Sequence, residues 1–471
     1  MKINLKPGSH VHLMGICGTA MASLAGLLKD RGYKVTGSDQ NVYPPMSTQL
    51  QNMGIEIMQG YKKENLNIRP DLVIVGNVIS KNHEEAQALL ASDIPYTSLP
   101  NAMGELVIAD RHSIVVAGTH GKTTTTSLTS FIADSLGLNP GFLIGGIPKN
   151  FSVSYQLPKG DWFVIEGDEY DTAFFDKVPK FIHYRPRSVI LTSIEFDHAD
   201  IYRDLDHVKE AFVMLLKLIP EDGHLIYNAE DENINSILKY TKCKNIKSYG
   251  VSRGDYQAQS VIVDGIMTQF EIQGPKGLSK VKLQMLGDYN IKNVTAAFAL
   301  SQELGWSEPR VLKAIENFQG VKRRQEIIGT PNNITVIEDF AHHPTAVKET
   351  ILSIQKRFPK AKVFSIFEAR SATSRRKVFQ KEYVEAFSKA HAVLLPPAFN
   401  QASLAEADRF SVEELIADLQ KLKVDALLCK STNDIILQVK SRAKPGDVVL
   451  VMSNGGFDGI YKSLLETLSK S

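Results

Sequence analysis

Short apolar runs alternate with amphipathic stretches along all 471 residues, and no other feature restricts the fold as much. A strand buried on both faces reads as a continuous apolar run, and parallel neighbours need a crossover helix to cover them. HVHLM (10–14), KVTGS (34–38), DLVIV (71–75), IVVA (114–117), WFVI (162–165) and VILTS (189–193) are such runs, each followed by loop chemistry or a helix. The pattern predicts an α/β fold with parallel sheets. At about 100–200 residues per domain the chain is too long for one core. Breaks at GELVIADRH (104–112), read as a polar bridge, and at QGVKRR (319–324) divide it into three domains. These are a Rossmann-like N-terminal domain (1–110), a central phosphate-loop domain with a parallel sheet (111–321) and a C-terminal Rossmann-like α/β domain (322–471). The alternating VIVDGIMTQFEI within 255–285 predicts a small antiparallel addition to the middle domain.

Charge narrows the range of functions. Lys+Arg 54 against Asp+Glu 52 leaves a net charge of +2, so no bulk field favours nucleic acid or an anionic membrane and any anion site must be local. Cys17, Cys243 and Cys429 form no C-x-x-C pair, the N-terminus MKINLKPGSH has no apolar signal core, and no long apolar run occurs. A cytoplasmic protein with no nucleic-acid or membrane partner is expected.

Ligands of open α/β sheets bind beyond the carboxyl ends of the strands, and the strand ends here are rich in polar groups. The first runs into Gly15-Ile16-Cys17-Gly18-Thr19-Ala20, close to G-x-G-x-x-G/A but with Cys17 at the second Gly, and the second ends in Asp39, where an acidic group can meet a ribose. IVVA runs into Gly118-Thr119-His120-Gly121-Lys122-Thr123-Thr124-Thr125 and an apolar helix. Backbone amides of such a loop cradle phosphates, Lys122 reaches the outer ones, and Thr123 offers a hydroxyl to Mg²⁺. The pattern departs from G-x-x-x-x-G-K-[ST] in having Val116 at the first Gly. WFVI delivers Glu166-Gly167-Asp168-Glu169-Tyr170-Asp171, four carboxylates that need a cation or basic ligand to coexist. The next strand ends in Glu195-Phe196-Asp197-His198-Ala199-Asp200, with His198 able to bind metal. Asn290 and Asn293 share a helix face and can present amides to a base edge. In the third domain, DFAHHP carries Asp339 and His343, and Arg370 can clamp a carboxylate.

In combination and order, AGTHGKTTT, EGDEYD, EFDHAD, GDYNIKNVTAA and DFAHHPT resemble the Mur ligase family of ATP-dependent amide-forming enzymes, over essentially the whole chain. GICGTAM, NVYPPMS, AFFDKVPKFIHYRPR and VMSNGGF are similar to the branch that accepts a murein tripeptide; the branch that accepts L-alanine is the alternative. Ala369, where a Pro usually precedes Arg370, and Asp458 depart from the tripeptide branch. The resemblance implies ATP and Mg²⁺ as cofactors, UDP-N-acetylmuramate and a murein tripeptide as partners, and a monomer or weak homo-oligomer. It implies catalysis by Lys122, His198 and Arg324, with ATP on Gly118, Thr119, Gly121, Lys122, Thr123, Thr124, Asn290, Asn293 and Asp339. Thr123, Glu166 and His198 would bind metal. Gly15, Gly18 and Asp39 would face UDP, and His120, Glu169, His343 and Arg370 the remaining substrate atoms. Two other classes are an NAD-dependent oxidoreductase, which leaves GTHGKT and the acidic strand ends unexplained, and a nucleotide switch without ligase chemistry. Amine-dependent phosphate release separates a ligase from both.

Overall fold

The computed structural model describes residues 3–42, 46–265 and 267–470; Tyr43, Pro44 and Pro45 of the NVYPPMS stretch lie outside them. Strands β1 (His10–Met14), β2 (Lys34–Asp39), β3 (Glu56–Gln59), β4 (Leu72–Val75) and β5 (Tyr96–Ser98) form a parallel sheet in the order β3-β2-β1-β4-β5. This is the Rossmann-type order, with its switch point beyond β1 and β4.

The central sheet contains β6 (His112–Ala117), β7 (Gly141–Leu143), β8 (Tyr155–Gln156) and β9 (Trp162–Gly167). A separate hairpin, β10 (Asp171–Ala173) with β11 (Asp176–Pro179), follows. β12 (Pro186–Leu191), β13 (His224–Asn228), β14 (Asn245–Gly250), β15 (Tyr256–Asp264), β16 (Met267–Gly274) and β17 (Gly277–Leu283) complete ten strands in the order β17-β16-β15-β14-β13-β12-β6-β9-β7-β8. The antiparallel addition expected within 255–285 is present, as the β15–β16 and β16–β17 pairs. The third sheet, β18 (Glu326–Gly329), β19 (Thr335–Asp339), β20 (Val363–Phe367), β21 (Ala392–Leu395), β22 (Asp425–Leu428) and β23 (Val448–Met452), runs β18-β19-β23-β20-β21-β22, parallel except for β18.

This topology positions the loops. β12, β6 and β9 are neighbours in parallel register, with Leu191 opposite Ala117 and Ala117 opposite Gly167, so GTHGKT, EGDEYD and EFDHAD leave one edge side by side. In the third sheet Asp339, Met452 and Phe367 are likewise adjacent, which brings DFAHHP, SNGG and EAR together.

Two sequence boundaries shift. The run 189–193 leaves its strand at Leu191; Thr192 N still donates to Ala117 at the end of β6, but the Thr192 hydroxyl and Ser193 bond the phosphate loop. The expected polar bridge is a buried turn of π-helix over Met103–Ile108, of which only Glu105 is not fully buried, and Gly104 lies under the His183 carbonyl. One apolar cluster runs from Val11 and Leu24 through Leu106 to Phe181 and Phe212, so the first two domains share a core. The C-terminal sheet has its own clusters on its two faces.

Candidate active site

The phosphate loop is seated by hydrogen bonds to the β12 exit. Thr119 N donates to the Ser193 carbonyl at 2.9 Å, His120 N to Ser193 Oγ at 3.0 Å, and Thr192 Oγ1 to the His120 carbonyl at 2.5 Å. Gly118 has φ +130°, and a Cβ there would lie 2.2 Å from Thr192 Oγ1; one on Gly121, at φ +81°, would lie 2.6 Å from Asn293 Oδ1. The helix Lys122–Ser135 starts at Lys122, so its free N–H groups open onto the loop.

Lys122 Nζ donates to the Gly118 carbonyl at 2.6 Å and to Glu169 Oε2 at 3.1 Å. Burial works against its charge, but Glu169 and Asp168 outweigh it and hold the pKa above the usual lysine value. Glu169, expected against substrate, is 2% exposed. It instead bridges Lys122 to His198, whose Nε2 is 3.5 Å from Glu169 Oε1. His198 holds φ +52°, a strained value for a non-glycine residue of the kind kept at functional sites.

Thr123 Oγ1 donates to Glu166 Oε2 at 3.0 Å, while Glu166 Oε1 accepts from Gly145 N at 2.5 Å. Burial, and next the charge of Asp168, push the Glu166 carboxyl pKa upward. A cation there would relieve both, and a hydroxyl beside a carboxylate is an oxygen donor set suited to Mg²⁺. Burial also raises Asp168, but Lys180, 3.1 Å away, and Lys122 bring it below its ordinary value. Lys180 and Asp168 line a 310 Å³ cleft with Gly15, Gly18, Asn77 and Glu166, between the first two sheets. Asp39 faces the Gly15–Gly18 turn, accepting from Cys17 N and Asn41 N at 2.9 Å each.

The third domain completes the site. Arg324 stacks 4.6 Å over Phe340 and reaches Thr123 Oγ1 at 3.4 Å. Asp339 accepts from Gln325 N and Ala341 N at 2.8 Å each and from the Thr350 side chain, which fixes the turn carrying Arg324. Thr345 Oγ1 donates to Glu195 Oε2 at 2.6 Å, and the His120 and His343 rings are 4.7 Å apart. Arg370 lies apart from these, 3.9 Å over Phe399 and against Gly455, with Glu368 Oε1 at 3.4 Å. Asn290 Nδ2 donates to the Leu286 carbonyl at 2.7 Å, and its Oδ1 is buried without a partner.

Sequence reasoning missed Lys180 and Glu195 as site members. No spacing marks Lys180, because hairpin β10–β11 folds it back onto Asp168. Glu195 stands three residues before His198 and shares its strand exit, a signal that was available.

Three α/β domains around a phosphate loop, acidic strand ends and a basic residue from the third domain define a nucleotide-dependent ligase architecture. The Mur ligase middle domain model matches residues 116–301, the Mur ligase family catalytic domain 10–111, and the Mur ligase glutamate ligase domain 323–455. The chain belongs to the Mur ligase family. It is 38% identical over 462 residues to the UDP-N-acetylmuramate–L-alanyl-γ-D-glutamyl-meso-2,6-diaminoheptandioate ligase of Escherichia coli K12, covering 98% of each chain. To the UDP-N-acetylmuramate–L-alanine ligase of Clostridium tetani it is 35% identical over 461 residues, covering 98% of each. The crystal structure of a murein peptide ligase from Psychrobacter arcticus superposes with TM-score 0.74 at 36% identity, covering 98% of this chain and 99% of that one. Among the described residues no helix is long and apolar enough to cross a membrane.

Proposed function

We propose that this ligase joins L-alanyl-γ-D-glutamyl-meso-diaminopimelate to UDP-N-acetylmuramate at the expense of ATP, in peptidoglycan recycling in the cytoplasm. The observation that carries the reading is the bridge Lys122–Glu169–His198 beside Thr123–Glu166, next to a 310 Å³ cleft that Glu166 and Asp168 line. The 38% identity over 98% of the chain to the Escherichia coli tripeptide ligase supports the choice of acceptor.

The terminal phosphoryl of ATP passes to the lactyl carboxylate of the sugar, and the peptide amine then displaces phosphate from that acyl phosphate. Both steps develop charge on oxygens, so preorganised cations matter more than a protein nucleophile. Lys122 and Arg324 approach the phosphate position from opposite domains. Thr123 and Glu166 would hold one Mg²⁺ and His198 a second, and these ions when bound neutralise phosphoryl charge. Glu169, paired with both Lys122 and His198, would hold them in place beside the substrate. Asn290 Oδ1, buried and unpartnered, suits an adenine amino group, with Asn293 under the loop. Asp339 would meet the ribose, Gly15, Gly18 and the Asp39-braced turn the UDP, and His343 and Arg370 the peptide side.

Phosphate release is the test. With UDP-N-acetylmuramate it should require the tripeptide, and free L-alanine should support little turnover. Equal efficiency with L-alanine would move the chain to the biosynthetic step.

A further inference from the structure

Glu195, in the exit of β12, faces an imidazole on each side, and the proposed ligase reaction needs none of this trio as a set. Its Oε2 lies 3.5 Å from His120 Nε2 and 3.6 Å from His343 Nδ1. All three donor atoms fall within 4.8 Å of one another. We propose that His120, Glu195 and His343 form a binding site for a borderline divalent cation of the Zn²⁺ class, distinct from the Mg²⁺ position at Thr123 and Glu166.

A tetrahedral ion with bonds of about 2.0–2.2 Å sets its ligand atoms about 3.4 Å apart. Two edges of the observed triangle are within 0.2 Å of that spacing, and the third closes by rotation of the half-exposed His120 ring. His120 Nε2 is buried and, apart from Glu195 Oε2 at 3.5 Å, has no hydrogen-bond partner among the described residues. His343 Nε2 lies 3.1 Å from the Phe196 carbonyl, so that nitrogen carries the proton, and Nδ1, which accepts from Thr345 N at 3.3 Å, keeps its lone pair 3.6 Å from Glu195 Oε2. A ligating histidine fixed through its other nitrogen by a carbonyl is the usual outer-shell support of a metal site. Two contacts compete: Thr345 N at 3.3 Å from His343 Nδ1, and the Thr345 hydroxyl on Glu195 Oε2 at 2.6 Å. The first is long, and the second leaves the carboxylate further lone pairs.

Two imidazoles and one carboxylate select Zn²⁺ or Co²⁺ over Mg²⁺, which prefers all-oxygen shells, and they leave a fourth position open to water. The three residues come from the phosphate loop, the β12 exit and the N-cap of the C-terminal-domain helix Pro344–Arg357. A bound cation would therefore tie the third domain to the loop.

The test uses the chelator-treated full chain without nucleotide, titrated with Zn²⁺ against a chromophoric chelator and with Co²⁺ by visible absorption. One equivalent of Zn²⁺ should bind and survive excess Mg²⁺, and Co²⁺ should give the strong visible band of a tetrahedral N/O site. His343→Gln and Glu195→Gln should each weaken Zn²⁺ at least about tenfold, while His198→Ala should leave it unchanged. Melting curves identify any variant that fails to fold, in which case the Co²⁺ spectrum of the unaltered chain decides. No stoichiometric uptake, displacement by Mg²⁺, loss with His198→Ala, or a thiolate-to-cobalt band that assigns the ion to Cys17 would each overturn the proposal.

Discussion

Lys122 carries the phosphate loop's one permanent positive charge, and the fold holds that charge between Gly118 and Glu169. Lys122→Ala should lower kcat for phosphate release by about two to three decades, the usual cost of one lost contact to developing charge. The same change strips buried Glu169 of its cation and lowers the melting temperature, so kcat must be measured well below melting. A variant that keeps most of its turnover would place the ATP phosphates elsewhere. His198 is the second case. In the helix Leu205–Leu218, Lys209 sits 3.9 Å from Asp206 and Lys217 lies 5.7 Å from the Tyr240 ring, whereas the ion pairs of Glu169 are with Lys122 and His198, so neither lysine is placed to supply a carbamate ligand beside Glu169. His198→Ala should raise the Mg²⁺ concentration for half-maximal rate about tenfold or more, with KM for ATP near its original value. Rate recovery in the unaltered chain on adding bicarbonate after acid treatment would contradict the assignment to His198. The sequence made both residues legible because each stands in a loop directly after an apolar run. Asp39 and Asp339 were legible as acidic strand ends. Their occupation by backbone amides was not, since a carboxylate reads the same whether it meets a ligand or an N–H.

At the scale of elements, parallel register converts distant sequence into adjacency. β12, β6 and β9 are separated by dozens of residues, yet their exits are neighbours, and apolar runs with polar ends predicted three such strands without predicting their order. The early exit of β12 at Leu191 was hidden, because Thr192 is a good strand former and nothing in the sequence shows that Thr192 and Ser193 seat the phosphate loop. Gly118 tests that seat. At φ +130°, with Thr192 Oγ1 2.2 Å from where a Cβ would stand, alanine must either shift the loop or push the β12 exit away. Gly118→Ala should cost about 1–3 kcal/mol of stability, as expected for a residue forced into a glycine-only region, and should weaken ATP binding more than UDP-sugar binding. Gly32→Ala, also at positive φ but with open space around it, is the control for conformational strain alone. Equal effects on ATP binding from the two changes would mean that the Thr192 contact does not set the loop.

In the whole molecule the two domain seams differ in kind. The first two domains share one apolar core, whereas the seam to the third is crossed by Arg324 to Thr123, Thr345 to Glu195 and His343 beside His120. A polar seam of this kind opens more readily than a shared core, which suits a site assembled by closure. It also makes stability depend on pH. Burial, and next His120, lower His343 to about 4, and burial with Arg187 lowers His112, at the start of β6, to about 4. Both rings are neutral in the folded chain, while the unfolded chain takes up their protons near pH 6.5. The unfolded state thus binds more protons between pH 6.5 and 4, so stability rises with pH across that window and is lost on acidification through it. Glu195 acts with the same sign lower down. Burial raises its carboxyl, but His120 and Thr345 hold it at about 2 against 4.5 unfolded, so its contribution is present above pH 4.5 and disappears toward 2. The histidine terms are at most about 3 kcal/mol each, and less for partly solvated His112. Melting temperature in chelator-containing buffer should therefore fall steadily from pH 7 to 4. His343→Gln, which keeps a polar side chain but cannot take up a proton, should flatten part of that slope. A profile that is level over this range would show that these two rings do not stay neutral in the folded chain, and a His343→Gln slope equal to that of the unaltered chain would show that the seam does not hold His343 in the protonation state its geometry requires.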